Sequence, residues 1–286
     1  VNYHALEVPD AIAEKASPET DIVIREEIRR MLPPDDEHKE SGDILTAHWC
    51  VPKANIKAPN VVGVMSTRSL LDDALGATRL AHLECLAVDC SAAALSRLGN
   101  VLRPNNKQEV WGILDIGYRQ SRLVICMNDI PVLARSVGDG GHAWTRLIAD
   151  DLSISEQSAE IQKKEHGLNI PRRKNDPDSS DGPNSEIGTM LFGILRSSLT
   201  AMATEVNRSY EYALSCYGHC EASDLILVGS GAQLKQLPSF LEDALGINVC
   251  RAEQYIDRED CRLQMEHQDA VQVGRYATAL GLAIAE

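Results

Sequence analysis

Residues 112–137 read GILDIGYRQSRLVICMNDIPVLARSV. An apolar run closes on Asp115-Ile116-Gly117, a short polar loop follows, and a second apolar run resumes. Short apolar runs bounded by glycine suit buried strands, so the stretch reads as a β-hairpin. Asp115 then ends a buried strand, and Gly117 permits a tight or left-handed turn. The amides of residues 117–121 could point at a phosphate. Asp115 could hold a water on a magnesium ion, because hard cations select oxygen ligands. The plain alternative is a hairpin whose Asp115 bonds its own turn amides.

Downstream, GGHAWTRLIADDL (140–152) and SISEQSAEIQKKEHG (153–167) read as helices, the second capped by Ser153 or Ser155 and stopped by Gly167. Glu160 and Lys163 lie three apart and share a face. Glu160 could accept from ribose hydroxyls and Lys163 could meet a base or a phosphate; a solvated ion pair is the plain alternative. Residues 170–187, rich in Pro, Ser, Asp and Asn, read as a surface linker. A long helix from about residue 188 follows, in which Glu205 pairs with Arg208 and Val206 and Tyr210 face inward. DLILVGSGAQLKQLPSFLEDALG (224–246) reads strand, glycine turn, helix, so a flat ligand could approach Gly229 and Gly231 closely, with the helix N-terminus favouring an anion. INVCRAE is expected as a strand and AVQVGRYATALGLAIAE as a closing helix.

Upstream, NYHALEVP, ILTAHWCVP and NVVGVMS read as strands, and ETDIVIREEIRRMLP as a helix. TRSLLDDALGATRLAH is expected as a helix with Thr67 or Ser69 at its start. LECLAVDC is expected as a short buried strand and SAAALSRLGNVL as a helix. Strands alternate with helices, which places the chain in the α/β class.

Composition limits the partners. The 286-residue chain has room for two domains. Its formal charge of −14 argues against a nucleic-acid or anionic-membrane surface as the main partner. Aromatic residues make up 4%, too few for stacking platforms on single-stranded nucleic acid. No apolar stretch is read as a membrane span. The 8 cysteines are scattered; no signal peptide is expected, and they are expected to be reduced, buried and cytosolic. Cys216, His219 and Cys220 cluster, but zinc would need a second pair at matching spacing.

Taken in order, LDIG with its following strand, Gly140-Gly141 with Trp144-Thr145, Ala159-Glu160 with Lys163, and LVGSGAQLKQLPSFLEDALGINV resemble the actin-like ATPase superfamily. The branch is that of FtsA and its relative PilM, a type IV pilus assembly family. The segment 66–98, the helix EVNRSYEYA and the closing ALGLAIA resemble PilM as well. The resemblance implies an actin-like (ribonuclease H-like) two-domain fold with an inserted subdomain at 1–84, a connecting helix region at 85–108, a second domain with nucleotide loops at 109–268, and a C-terminal helix at 269–286 returning to the first domain. It begins inside the inserted subdomain, so the first domain is expected to be incomplete at its N-terminus, without the family's first phosphate hairpin.

By the same resemblance Asp115, Gly117, Tyr118 and Arg119 serve the second phosphate loop, with Gly140 and Gly141 beside it. Glu160 and Lys163 flank ribose and base, and Gly229, Ser230, Gly231 and Ala232 form the adenosine loop. The implied cofactor is ATP with Mg, its metal served by Asp115. Tyr118 and Arg119 stand where the family carries small residues, and Ser230 where it carries glycine. The implied function is a cytoplasmic pilus or secretion component at the inner face of the membrane, binding the cytoplasmic tail of a PilN-like partner, with at most weak ATPase activity. Self-association is a further partner class. A nucleotide-free scaffold of the same fold is the alternative, and a small-molecule kinase of the superfamily the third reading.

Overall fold

The computed structural model describes residues 1–13, 17–31, 43–51, 58–103, 109–170, 186–217, 222–256, 261, 263 and 272–284. The 171–185 stretch of the expected linker, together with His219 and Cys220, lies outside the described residues.

The N-terminal part is a three-stranded antiparallel sheet of β1 (Asn2–Leu6), β2 (Ile44–Cys50) and β3 (Val61–Thr67), in the order β1-β3-β2. After the four-residue α1 (Asp10–Ala13), helix α2 (Pro18–Arg30) starts at a capping box in which the Ser17 and Thr20 side chains bond each other's backbone amides. Its apolar stripe, Ile24 and Ile28, seats on Leu6, Ile44, Val61 and Met65. Gly63 makes that approach close: a Cβ there would lie 2.6 Å from Ile28 Cγ1.

The second sheet has five strands in the order β6-β5-β4-β7-β8: β4 (Val110–Ile116), β5 (Gln120–Met127), β6 (Ile130–Asp139), β7 (Ala222–Val228) and β8 (Asn248–Arg251). β4, β5 and β6 run antiparallel, whereas β7 and β8 join parallel. The 112–137 stretch therefore holds two turns rather than one. Asn128, at φ 55°, reverses the chain and creates β6. Asparagine tolerates that left-handed conformation at small cost.

Each face of this sheet is covered. On one face, α5 (Gly141–Leu152), α6 (Glu156–His166), α7 (Glu186–Tyr217) and α8 (Leu237–Leu245) bury Trp144, Ile148, Leu195, Leu199, Val206 and Leu241 against Leu114 and Leu227. On the other, α4 (Ser91–Leu102), α9 (Glu253–Ile256) and α10 (Ala277–Ala283) bury Leu95, Leu98, Tyr255 and Ala277 against Ile113 and Ile226. α7 is long and apolar enough by length and composition alone to cross a bilayer, at mean hydropathy 1.2, which corrects the sequence expectation. Here Leu191, Leu195, Leu199, Met202 and Val206 form its core-facing stripe.

Helix α3 (Arg68–Leu80) has no buried residue. The run after it, expected as a buried strand at LECLAVDC, forms no strand, and Leu83, Leu86 and Val88 are exposed. An apolar run becomes a strand only where another strand satisfies its backbone, and here neither sheet reaches it. Cys85, expected to be buried, is exposed for the same reason.

Candidate functional site

The sequence-marked segments meet at one end of the five-stranded sheet, where β4 and β7 finish side by side with Asp115 opposite Val228. Gly141 marks the meeting point. A Cβ added there would lie 3.8 Å from Gly231 Cα, 3.8 Å from Lys163 Nζ and 3.9 Å from the Gly117 carbonyl oxygen. The hairpin, the start of α5, the face of α6 and the Gly229–Ala232 loop thus converge on one spot.

Backbone hydrogen bonds join hairpin and helix. Gly117 N donates to Gln120 O at 3.1 Å and closes the turn. Gly140 N, Gly141 N and His142 N donate to the carbonyls of Arg119, Gly117 and Tyr118 at 3.1, 2.9 and 2.9 Å. Gly140 is obligatory, because a Cβ would come within 2.5 Å of Gly117 O and 2.6 Å of Gln120 N. The first amides of α5 are therefore already committed to carbonyls, and so is Gly117. The hairpin amides left without a hydrogen bond to the described residues are those of Tyr118 and Arg119. The Tyr118 ring is exposed and stacks on His142, with centroids 4.6 Å apart.

Asp115 is half-buried and its side chain makes no hydrogen bond to the described residues; the plain-hairpin bond to its own turn is not formed. Desolvation pushes its carboxyl up from the ordinary value, and Arg122 across the strand pair opposes that push. No group of three or more His, Cys, Asp or Glu that could hold a metal ion exists among the described residues. A cation here would have to take most of its oxygens from water and a ligand's phosphates, as magnesium commonly does.

The Gly229 loop presses on the hairpin. Gly229 sits at φ 86°, and a Cβ would lie 2.4 Å from Ile116 O and 2.5 Å from Asp115 Oδ1. A Cβ on Gly231 would lie 2.3 Å from Ile116 Cγ2. The helix expected after the glycine turn does not follow it directly. A single 3-10 turn, Ser230–Gln233, comes first, and α8 starts at Leu237 after Gln236 in the left-handed region. The loop thus offers a short turn rather than a full helix N-terminus. Ser230 and Gly231 keep amides with no hydrogen bond to the described residues, whereas Gly229 N donates to Gly274 O at 2.7 Å and Ala232 N to Gly229 O.

The sequence reading missed three supports. Arg251 donates from Nε to Ala232 O at 2.9 Å and from Nη2 to Leu234 O at 3.1 Å, bracing the loop from β8. Gly274 anchors Gly229 from a segment expected to be plain helix. Thr145, part of the quoted pattern but given no role, is 4% exposed and lies between Glu160 and Lys163. Its Oγ1 is 2.5 Å from Glu160 Oε2 and 2.6 Å from Lys163 Nζ. Lys163, 8% exposed, also reaches Glu160 Oε2 at 2.6 Å and Gly141 O at 2.8 Å. Lys163 therefore faces protein acceptors, not the open side expected of a base or phosphate contact. Burial lowers the Lys163 ammonium from its ordinary value against the pull of Glu160. For Glu160, desolvation pushes up, but hydrogen bonds from Lys163 and Thr145 outweigh it and the carboxyl is lowered.

Comparison with known proteins fits this architecture. The family model described as cell division protein FtsA matches residues 112–281, more than half of the chain. A protein solved in the PilM-PilN type IV pilus biogenesis complex is similar over 99% of this chain and 75% of its own, at 23% identity and TM-score 0.70. MreB5 of Spiroplasma citri, solved bound to AMPPNP, is similar over 77% of this chain and 64% of its own, at 15% identity and TM-score 0.53. At these identities the likeness concerns the fold, which is the actin-like one.

Proposed function

The chain belongs to the FtsA family, and from that membership we propose that it is a PilM-like component of type IV pilus or related secretion machinery. In this reading it grips the cytoplasmic tail of an inner-membrane partner and sits at the inner face of that membrane. ATP with Mg regulates the grip. Residues 1–84 act as the inserted subdomain, and 109–268 as the domain carrying the nucleotide loops. Similarity over 99% of the chain to a protein solved with PilN supports the partner class.

The observation that carries the nucleotide part is the convergence of four segments on Gly141, with glycines where a Cβ would fill the cradle. The amides of Tyr118 and Arg119 would take phosphate oxygens. Asp115 would orient a metal-bound water, and Glu160 would accept from the ribose. Gly229–Ala232 would lie along the adenosine. The bound metal would supply neutralisation of phosphate charge. Phosphoryl chemistry here would rest on positioning and electrostatics, so turnover is expected to be slow.

The committed α5 amides and the bulky Tyr118–His142 stack favour the second reading, a scaffold of the same fold that works without nucleotide. Calorimetry with ATP, with and without magnesium, on this chain and on Asp115→Ala separates the two. Micromolar binding lost in Asp115→Ala supports regulation by nucleotide; no binding at millimolar ATP removes it and leaves the scaffold. Phosphate transfer to a small acceptor, without capture of a membrane-protein tail, would sink both in favour of a kinase.

A further inference from the structure

Helices α7 and α8 leave between them an open cleft of about 600 Å³, lined by none of the residues of the hairpin or the glycine loops. Phe192 and Phe240 meet edge to face at one end of it, with centroids 6.0 Å apart. From Phe192, the residues Arg196, Thr200, Ala203 and Asn207 continue along one face of α7. That row extends about 22 Å at the usual helical rise. Arg196 is exposed on this wall, and no described carboxylate pairs with it. A groove of this length, apolar at its floor and flanked by a charge, suits a helix better than a compact small molecule.

Helix α3 is an unpartnered helix of similar length. None of its 13 residues is buried, although so short a helix is marginal in water unless an apolar face packs against something. Leu71, Leu75 and Thr78 are half-covered, whereas Leu70, Ala74, Ala77 and the C-cap residue Ala81 are exposed. These four follow the alternating four-and-three spacing of a seam by which one helix faces another. Asp73 is exposed beside that seam, one turn from both Leu70 and Ala77.

We propose that the α7–α8 cleft takes helix α3 of a second copy of this chain, with Leu70 seated against the Phe192–Phe240 pair and Asp73 beside Arg196. This goes beyond the nucleotide reading and does not depend on it. With the two helices parallel, the rows climb at the same rate, so Leu70 at the aromatic pair brings Asp73 level with Arg196 and Ala81 level with Ala203. The contact joins unlike surfaces. Reciprocal exchange therefore closes a pair of copies, and a one-way contact leaves an open row.

The test is sedimentation of the whole chain from micromolar to submillimolar concentration. The mean mass is expected to rise above the 31.3 kDa of one copy. Leu70→Glu and Thr200→Arg, both at exposed positions, should each hold the chain at one copy. Asp73→Arg and Arg196→Asp should each weaken association several-fold, and the two together in one chain should restore it. That rescue separates a contact from a folding defect, and an unchanged unfolding midpoint in each variant checks the fold. A natural chain that stays single throughout would overturn the proposal, as would charge reversals that fail to rescue each other. Association that survives Leu70→Glu and Thr200→Arg but disappears in Leu86→Ser would assign it to the arm after α3 and overturn the proposal too.

Discussion

Two apolar stretches of this chain meet opposite fates. β4 and β7, GILDI and LILV, lie in the middle of the five-stranded sheet, with Leu114 and Ile226 fully buried. The arm from α3 to residue 90 carries Leu80, Leu83, Leu86 and Val88, yet Leu80 is 85% and Leu86 88% exposed. Composition does not separate them. What separates them is company: β4 has hydrogen-bonded strands on both sides and helices above and below, whereas no strand pairs with the arm and Leu80, Leu83, Leu86 and Val88 stay in water. Burial is a property of the assembled neighbourhood, and hydrophobic stabilisation exists only where surface leaves water.

That contrast can be broken at its tightest point first. Gly229→Val combines overpacking against Ile116 with a φ of 86° that β-branched residues resist. The expected loss is about 4 kcal/mol in denaturant unfolding, the sum of an overpacking cost and a backbone-strain cost. A variant as stable as the natural chain would mean the loop does not press on the hairpin. Next comes a matched pair. Leu114→Ala should cost about 3 kcal/mol, as buried leucines do, whereas Leu86→Ala should fall within about 0.5 kcal/mol of the natural chain. A comparable loss at both positions would show that the arm is packed in solution and would remove the contrast.

Much of the packed region was legible from sequence because its signals are local. Ser155 and Gly167 announce helix ends within one turn, and apolar runs announce strands wherever a sheet then forms. What was not legible depends on distant partners. LECLAVDC reads as a strand from its residues alone. The Asn128-Asp129 turn that makes β6 was passed over inside a longer apolar reading. Gly274 looks helical, but it is recruited as the acceptor for Gly229 N and lies in a turn, residues 274–276, just before the helix Ala277–Ala283. The Glu160–Lys163 pair was visible as an i,i+3 spacing. Its hub was not, because Thr145 arrives from another helix.

The smallest expected effect concerns pH. Burial raises the Asp115 carboxyl, so the folded state holds that proton more tightly than the unfolded chain does. The sign follows: ionised Asp115 disfavours folding above its folded value, and that penalty fades as pH falls from the folded value toward the ordinary aspartate value, below which it is gone. In the nucleotide reading proposed above, magnesium would need the ionised form. Magnesium-dependent ATP affinity should therefore weaken on acidification at a pH above the ordinary aspartate value, and Asp115→Asn should abolish that dependence. An unchanged acid limb in Asp115→Asn would assign it to another group.

The central claim is that four segments form one phosphate- and ribose-facing surface with a definite set of open amides. Amide hydrogen exchange, read residue by residue with NMR in the presence and absence of Mg-ATP, tests it most directly. Slowed exchange at Tyr118, Arg119, Ser230 and Gly231 is expected, with Gly141 and His142 unchanged because their amides already donate to the hairpin. Exchange at Tyr118 and Arg119 that ignores saturating Mg-ATP would contradict the account.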